Sequence, residues 1–469
     1  MAAASTSPAK SLRRALIPLA LAQFICSFAG SNMTVMINDI SKDLNTTVEG
    51  VQLAITLFLL VMAALMIPGG KLTEKYGRKR LFILGLLVYG AGALLSAVSP
   101  GLGVLILGNS VLEGIGTALL IPPVYILTTL LFPDLVSRAR AFGAISAMGG
   151  IGAAAGPLIG GFITSALSWR AAFIFQVLVI ALIIVLARRV PEPLPADPAQ
   201  PFDIVGAVLS ALGLLLVVMG ILAADNNLWL MAALLVAGIL VLAGFFVWVR
   251  SRERAGREAL LPTRLFHNRM SNLGLITQHT QWLLLMGVSF VVSAYLQVVR
   301  GYNAIETGVI FTATTVGLLL SSLAAERFAK RRAQRTLILV GFCVCFGGVA
   351  VLLPMVSISD SGWAFVPGLF LIGFGLGGML TPSVNIVQSA FPEDLQGEIS
   401  GLSRSVSNLG SSLGGAIAGT ILVAGITTTP ERGYALAMVV LAVITLAGML
   451  AAARLPATAR PPTEAVSPG

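Results

Sequence analysis

Long apolar runs alternate with short polar breaks from near the start of the chain almost to its end. Fourteen of these runs are long enough to cross a bilayer as helices. They are 15–37, 50–69, 81–99, 102–127, 141–166, 171–188, 204–223, 228–250, 271–299, 306–325, 336–356, 363–389, 402–425 and 433–454. A segment in lipid must satisfy its own backbone, so each run predicts a transmembrane helix. The breaks also alternate in charge. With the N-terminus placed inside, 26 of the 30 basic residues fall on inner loops or inner span ends, and Lys42, Arg170, Arg300 and Arg432 fall outside. One missed span would scramble that order, so it predicts both the count and an orientation with both termini cytoplasmic.

The fifth run, Gly143 to Gly161, reads GAISAMGGIGAAAGPLIGG. Gly152, Gly156 and Gly160 lie on one helix face, where a neighbouring helix can approach backbone to backbone. Pro157 removes a ladder donor and predicts a bend. The design returns late in the chain: Gly401, Gly410, Gly414 and Gly419 match Gly143, Gly152, Gly156 and Gly161 at an offset of 258. Upstream, Gly116, Pro123 and Phe132 match Gly375, Pro382 and Phe391 at 259. Such a repeat predicts a duplicated bundle of the kind from which transporters are built. It pairs the fifth span with the thirteenth, so the second six-helix half begins at span nine and spans seven and eight are an insertion. The expected organisation is a cytoplasmic N-terminus (1–14), a six-helix bundle (15–188), linkers with two inserted transmembrane helices (189–270), a second six-helix bundle (271–454) and a disordered cytoplasmic tail (455–469).

Composition narrows the class. The chain is 57% hydrophobic and 11% charged, against about 25% charged in soluble proteins, which excludes an ordinary globular enzyme. The net charge of +10 follows the loops, as the orientation rule requires, and does not point to nucleic acid. The three cysteines, Cys26, Cys343 and Cys345, all fall in apolar runs and offer neither a disulfide framework nor a metal spacing. There is no phosphate-cradling loop, no nucleophile with partners, and no cofactor or metal pattern. Any transport must draw on an ion gradient or on the gradient of the substrate itself.

The loop after span two reads GKLTEKYGRKRL, from Gly70 to Leu81. In it Gly70 suits a close helix approach and Gly77 a tight turn, and Glu74 can pair with Arg78 or a neighbouring helix end to hold one conformation. This loop resembles the cytoplasmic signature of the major facilitator superfamily, with Glu74 where Asp is usual. Gly152, Gly156, Pro157, Gly160 and Gly161 in span five resemble its antiporter signature. Fourteen spans resemble the drug:proton antiporter branch of the EmrB/QacA type, and Trp169-Arg170-x-x-Phe173, Phe202-Asp203-x-x-Gly206 and Tyr295-Leu-Gln-x-x-x-Gly301 are further local echoes. The resemblance implies an all-α major facilitator fold, alternating access of two six-helix bundles, a monomer, and export coupled to inward proton flow. Two positions depart from the branch. Asn32 stands in span one where an Asp is usual, and Ser110-Val111-Leu112-Glu113-Gly114 stands in span four where Arg-x-x-Gln-Gly is usual.

Glu113 is the one acidic residue of 20 well inside a span. A charge at that depth costs about 2.5–3.5 kcal/mol on insertion scales, which suits a group that takes up and releases a proton, or one that stays protonated and hydrogen-bonds a neighbouring helix. His279, the one histidine in a span, is the second candidate for proton coupling, although a lone histidine among Gln and Thr is more often a hydrogen-bonded polar contact. Gln278 and Gln281 beside it, with Gln23, Asn32, Gln297, Asn385 and Gln388, are expected to line a cavity, since lipid exposure of amides is costly. Arg404, at the inner start of span thirteen, is expected to snorkel, leaving no deep cation to grip an anion.

The expected protein is thus a secondary active exporter of lipophilic or amphipathic, drug-like molecules in a bacterial inner or plasma membrane, working by proton antiport. Its partners would be a small-molecule substrate, protons and the bilayer. The alternatives are an exporter of an endogenous lipid or metabolite without the usual proton coupling, and a transporter-like sensor that moves nothing.

Overall fold

The computed structural model describes residues 8–132, 135–188, 190–192, 194, 196, 201–224, 227–329, 334–391, 396–426 and 429–456. Among them the long helices are α1 (Pro8–Asn32), α2 (Val48–Tyr76), α3 (Arg78–Ala97), α4 (Leu102–Leu131), α5 (Leu135–Ala166), α6 (Trp169–Ala187), α7 (Ile204–Leu222), α8 (Leu228–Arg254), α9 (Arg269–Val299), α10 (Ala304–Ala329), α11 (Gln334–Leu352), α12 (Val366–Gln388), α13 (Gln396–Ile426) and α14 (Pro430–Ala453). Thirteen are long and apolar enough to span as single helices. The fourteenth, α5, is bent by 41° between Ala147–Ala153 and Ala155–Ala166, just ahead of Pro157, where a missing ladder bond allows a kink. The tail expected to be disordered lies outside the described residues from 457 onward.

Helices α1–α6 pack as one bundle and α9–α14 as another. The glycine repeat sets how each is built. A Cβ on Gly152 would sit 2.2 Å from the Phe24 carbonyl oxygen, and one on Gly156 2.0 Å from Ser31 Oγ, so α5 lies directly on α1. In the second half Gly410 and Gly414 meet the carbonyl oxygens of His279 and Leu283 at 2.3 and 2.2 Å in the same sense, so α13 lies directly on α9. A third matched pair, Gly161 and Gly419, turns outward to the other bundle. Gly161 faces the Ala304 carbonyl of α10, and Gly419 faces Gln52 of α2. The halves therefore meet along two seams, α5 with α10 and α2 with α13.

The inserted pair is not symmetric about these seams. Val218 of α7 packs with Leu60 of α2 and Ala416 of α13, flanked by Leu57, Leu214 and Leu413. Helix α7 thus covers the α2–α13 seam. Asp203 fixes the base of the pair. It caps α7 at the Gly206 amide (3.0 Å) and also accepts from Trp248 Nε1 of α8 (2.9 Å) and the Leu260 amide of the linker (3.2 Å). A buried carboxylate with that many donors holds three segments at one point.

The start of α1 and the end of α14 mark what is called here the terminal end of the molecule; the opposite end is the far end. At the far end Arg170 donates to Asp43 and to the Ser99 carbonyl (2.9 Å), and Trp169 Nε1 donates to Asp43 (3.1 Å). The hydrogen bond from Arg170 holds the Asp43 carboxyl below the usual carboxylate range.

Candidate functional site

Between the two halves lies a cavity of about 120 Å³. Two polar stripes face each other across it. Helix α1 presents Gln23, Ser27 and Ser31, four residues apart, and α13 presents Arg404, Ser407, Asn408 and Ser411 at helical spacing. The rest of the wall is greasy and adaptable: Met62 and Met66 from α2, Trp282 and Met286 from α9, Phe311 and Leu318 from α10. The hydroxyls stand here at little cost, because a helical Ser can bond its own preceding turn. Ser31 Oγ does so to the Ser27 and Phe28 carbonyls at 3.3 and 3.2 Å.

One network crosses the cavity at its terminal end. The Arg404 guanidinium donates to the Tyr125 hydroxyl and lies over the Tyr125 ring, 4.9 Å from its centroid. Tyr125 donates to Gln23 Oε1 at 3.2 Å, and Gln23 Nε2 donates to Ser27 Oγ at 3.1 Å. This corrects the expectation that Arg404 snorkels and that no cation reaches the cavity. The side chain turns inward because an aromatic face on the opposing half receives it.

The halves also touch beyond both ends of the cavity. At the far end Ser293 Oγ and Gln297 Nε2 donate to the Thr34 carbonyl at 2.5 and 2.8 Å, and the Ile305 amide donates to Ser165 Oγ at 3.1 Å. A Cβ on Gly308 would stand 2.4 Å from the Pro157 carbonyl oxygen. At the terminal end Lys71 pairs with Glu398 at 3.1 Å, Arg264 approaches the same carboxylate at 3.9 Å, and Ser405 Oγ donates to the Ala63 carbonyl at 2.6 Å. Among the described residues, contacts between the halves thus flank the cavity toward both of its ends. A drug-sized ligand needs roughly 300 Å³ or more, so the halves must part to admit one.

Of the seven amides expected at the cavity, the structure brings only Gln23 to its wall. Gln278 donates to the Ser383 carbonyl (3.0 Å) and accepts from Ser403 (2.5 Å), and Gln281 accepts from Ser383 (3.1 Å), pinning α9 to α12 and α13. Gln297 closes the far end. Gln388 reaches Ser400 (3.4 Å), and Asn385 is exposed. Asn32 is fully buried behind Gly160 and neither end of its amide finds a partner among the described residues. An amide has two donors and an acceptor to satisfy, so most of these side chains serve as helix-to-helix pins. His279 is also off the cavity, its Nδ1 facing the Val406 carbonyl at 3.2 Å.

Glu113 is fully buried, but inside the first bundle and off the cavity wall. It ends a π-helical stretch, Ile106–Glu113, a distortion that recurs at functional positions. Ser96 Oγ lies 3.5 Å from its Oε1, and its Oε2 has no hydrogen bond among the described residues. Helices α3 and α4 are nearly in contact here, since a Cβ on Gly92 would sit 2.7 Å from the Glu113 amide.

The loop after α2 departs in one detail from its expectation. Gly70 has ordinary room, its added Cβ 3.8 Å from Pro122, whereas one on Gly69 would stand 2.2 Å from the Ala118 carbonyl oxygen. The close approach belongs to Gly69. Gly77 takes φ +99° and joins α2 to α3 in one residue, a region that favours glycine. Glu192, from the linker after α6, accepts the next two amides, Arg78 at 3.1 Å and Lys79 at 2.9 Å. The side chain of Glu74 lies outside what is described.

A sequence model of the Major Facilitator Superfamily matches residues 19–249 and 203–415. The chain is similar to the puromycin resistance protein pur8 of Streptomyces alboniger, 29% identical over 87% of this chain and 81% of that protein. It is also similar to the cephamycin export protein CmcT of Amycolatopsis lactamdurans, 29% identical over 97% and 95%, and to the multidrug efflux pump LfrA of Mycolicibacterium smegmatis, 27% identical over 87% and 81%. In fold it is similar to a crystal structure of the peptide transporter POT, with a TM-score of 0.68, 16% identity, and 96% of this chain and 99% of that one covered.

Proposed function

The chain belongs to the major facilitator superfamily, and we propose that it exports amphipathic or lipophilic small molecules by secondary transport with alternating access. The observation that carries this reading is the cavity between the halves, apolar with two polar stripes and flanked toward both ends by contacts that join one bundle to the other. Relatives named for antibiotic and multidrug export support the substrate class. The basic loops support an orientation with the terminal end in the cytoplasm of a bacterial cell.

For coupling, the reading puts the transported proton on Glu113. Its solitary depth, its unpartnered oxygen and the π-helical distortion support that role. Because it stands behind the wall, a proton there would act by shifting α4 against α3 and would not compete directly with substrate. In proteoliposomes with an imposed pH gradient, Glu113→Gln is expected to abolish gradient-driven efflux while leaving exchange of substrate between the two sides. Undiminished gradient-driven efflux in the mutant would remove Glu113 from the mechanism. The same feature, a carboxyl off the cavity, favours the second reading of export without proton coupling. Vesicle pH that stays flat during substrate efflux would decide for it.

A further inference from the structure

Among the described residues lining the cavity, Arg404 is the one charged side chain, and no described carboxylate faces it. Its place is unusual for an arginine in a span. It sits six residues inside the apolar segment Glu398–Gly425, about 9 Å along the helix axis. A guanidinium carries five donors in a planar fork. The structure gives Arg404 one hydrogen bond, to Tyr125, and an aromatic face. Two described acids on the same and neighbouring elements are engaged or buried elsewhere. Glu398, on the same helix, is held by Lys71 and Arg264. Glu113 is sealed inside the first bundle. Among the described residues the cavity therefore holds a positive charge without a counter-charge, with donors to spare, in a low-dielectric wall where an uncompensated cation is costly.

We propose that the cavity is built for an amphipathic organic anion, whose carboxylate docks on the Arg404 fork. The proposal deepens the export reading and rests on it only for the word substrate. The walls orient such a molecule. Arg404, Tyr125 and Gln23 form the polar pole at the terminal end. Trp282, Met286 and Phe311 offer flat and flexible apolar contacts for a ring system. Ser407, Asn408 and Ser411 continue the polar stripe along α13, so hydroxyl or carbonyl substituents on one edge of the body can be met. A quaternary or protonated amine finds no acidic partner in this cavity and meets a like charge. Tyr125 presents Arg404 to the ligand and also ties the two halves, so an incoming carboxylate would compete for donors that now join them.

The test uses the full chain in lipid nanodiscs and three probes of one shape: 2-naphthoate, 2-naphthamide and (2-naphthylmethyl)trimethylammonium. Binding is read by equilibrium dialysis at pH 7, with empty nanodiscs subtracted for partition into lipid. The naphthoate is expected to bind about ten- to a hundredfold more tightly than the amide, the span of a charge-assisted fork, and the ammonium more weakly than both. Arg404→Gln should bring the naphthoate down to the level of the amide and leave the amide unchanged; Arg404→Lys should keep part of the preference. Retained amide binding in Arg404→Gln shows that the variant is folded and its cavity intact. Equal binding of the three probes, tighter binding of the ammonium, absence of specific binding by all three, or an anion preference that survives Arg404→Gln would each overturn the proposal. Counterflow of the same probes in proteoliposomes separates the two readings. Flux of amide or ammonium without anion preference sinks the anion site and leaves the exporter. Tight naphthoate binding with no flux sinks the exporter and leaves the site.

Discussion

Replacing Gly308 by alanine tests whether the far-end seam is a gate. The new Cβ would stand 2.4 Å from the Pro157 carbonyl oxygen, 3.1 Å from its carbon and 3.3 Å from Leu158 Cα. All three are backbone atoms of one helix, so no side chain can swing aside, and α5 and α10 must part by roughly 1 Å to reach ordinary contact distance. Overpacking of that kind costs about 1–3 kcal/mol, charged only to the conformation that holds the contact. The equilibrium should therefore move toward a far-end-open form by about five- to 150-fold. Spin labels on the far ends of α5 and α10, read as a distance distribution in nanodiscs, would show a longer population growing at the expense of the short one. Two comparisons sharpen the reasoning. Gly161→Ala meets the Ala304 carbonyl at 2.4 Å on the same seam, so it should give the same shift, and the double variant should add little because one opening relieves both clashes. Gly152→Ala meets Phe24 inside the first bundle, so it should lower thermal stability and leave the distances alone. A Gly308→Ala protein with the distance distribution of the parent, or one indistinguishable from Gly152→Ala, would refute the assignment of this seam as the moving one.

Two further outcomes can be checked. Glu398→Gln releases Lys71 and Arg264 at the terminal end. Since the pair is about one-fifth exposed, the effect should be modest, about 0.5–1 kcal/mol, read as faster labelling of a cysteine placed on the cavity wall from the terminal side; unchanged labelling would show that Ser405 and its neighbours suffice. The Asp43 carboxyl is held below its ordinary value by Arg170, so its stabilisation is full above the ordinary carboxylate range and is lost as the pH falls through the lowered value. Both partners are substantially exposed, which keeps the contribution under about 1 kcal/mol. Thermal unfolding from pH 7 down to 3 should show a small acid-side loss that Asp43→Asn lacks, and parallel curves for the two proteins would remove the pair as a cause.

Much of the fold was legible because lipid leaves the backbone few choices and because glycine spacing reports which helices touch. The pairing of Gly152 and Gly156 with Gly410 and Gly414 marked the two matching helix contacts, and the alternation of basic loops gave fourteen spans, the number reached when the bent α5 is taken as one. The errors have physical reasons. Two adjacent glycines point about 100° apart on a helix, so Gly69-Gly70 could not reveal which one faced α4. The amides were sought at the cavity because they are costly in lipid, yet each needs a partner on another helix and so most became pins. The cavity polarity came instead from small hydroxyls that satisfy themselves locally. Arg404 was passed over for being near a span end. Its neighbours at i+3, i+4 and i+7, Ser407, Asn408 and Ser411, already formed a polar stripe in the sequence, and a cation heading such a stripe faces inward.

Helix α7 gives this two-halved molecule a front and a back. One flank, where α2 meets α13, is roofed by protein, and any rocking there must slide past Val218 and its leucines. The opposite flank, where α5 meets α10, has no such roof among the described residues. Bilayer thickness and lateral pressure can therefore press on the two flanks unequally, and the lipid around this protein enters its working cycle from one side.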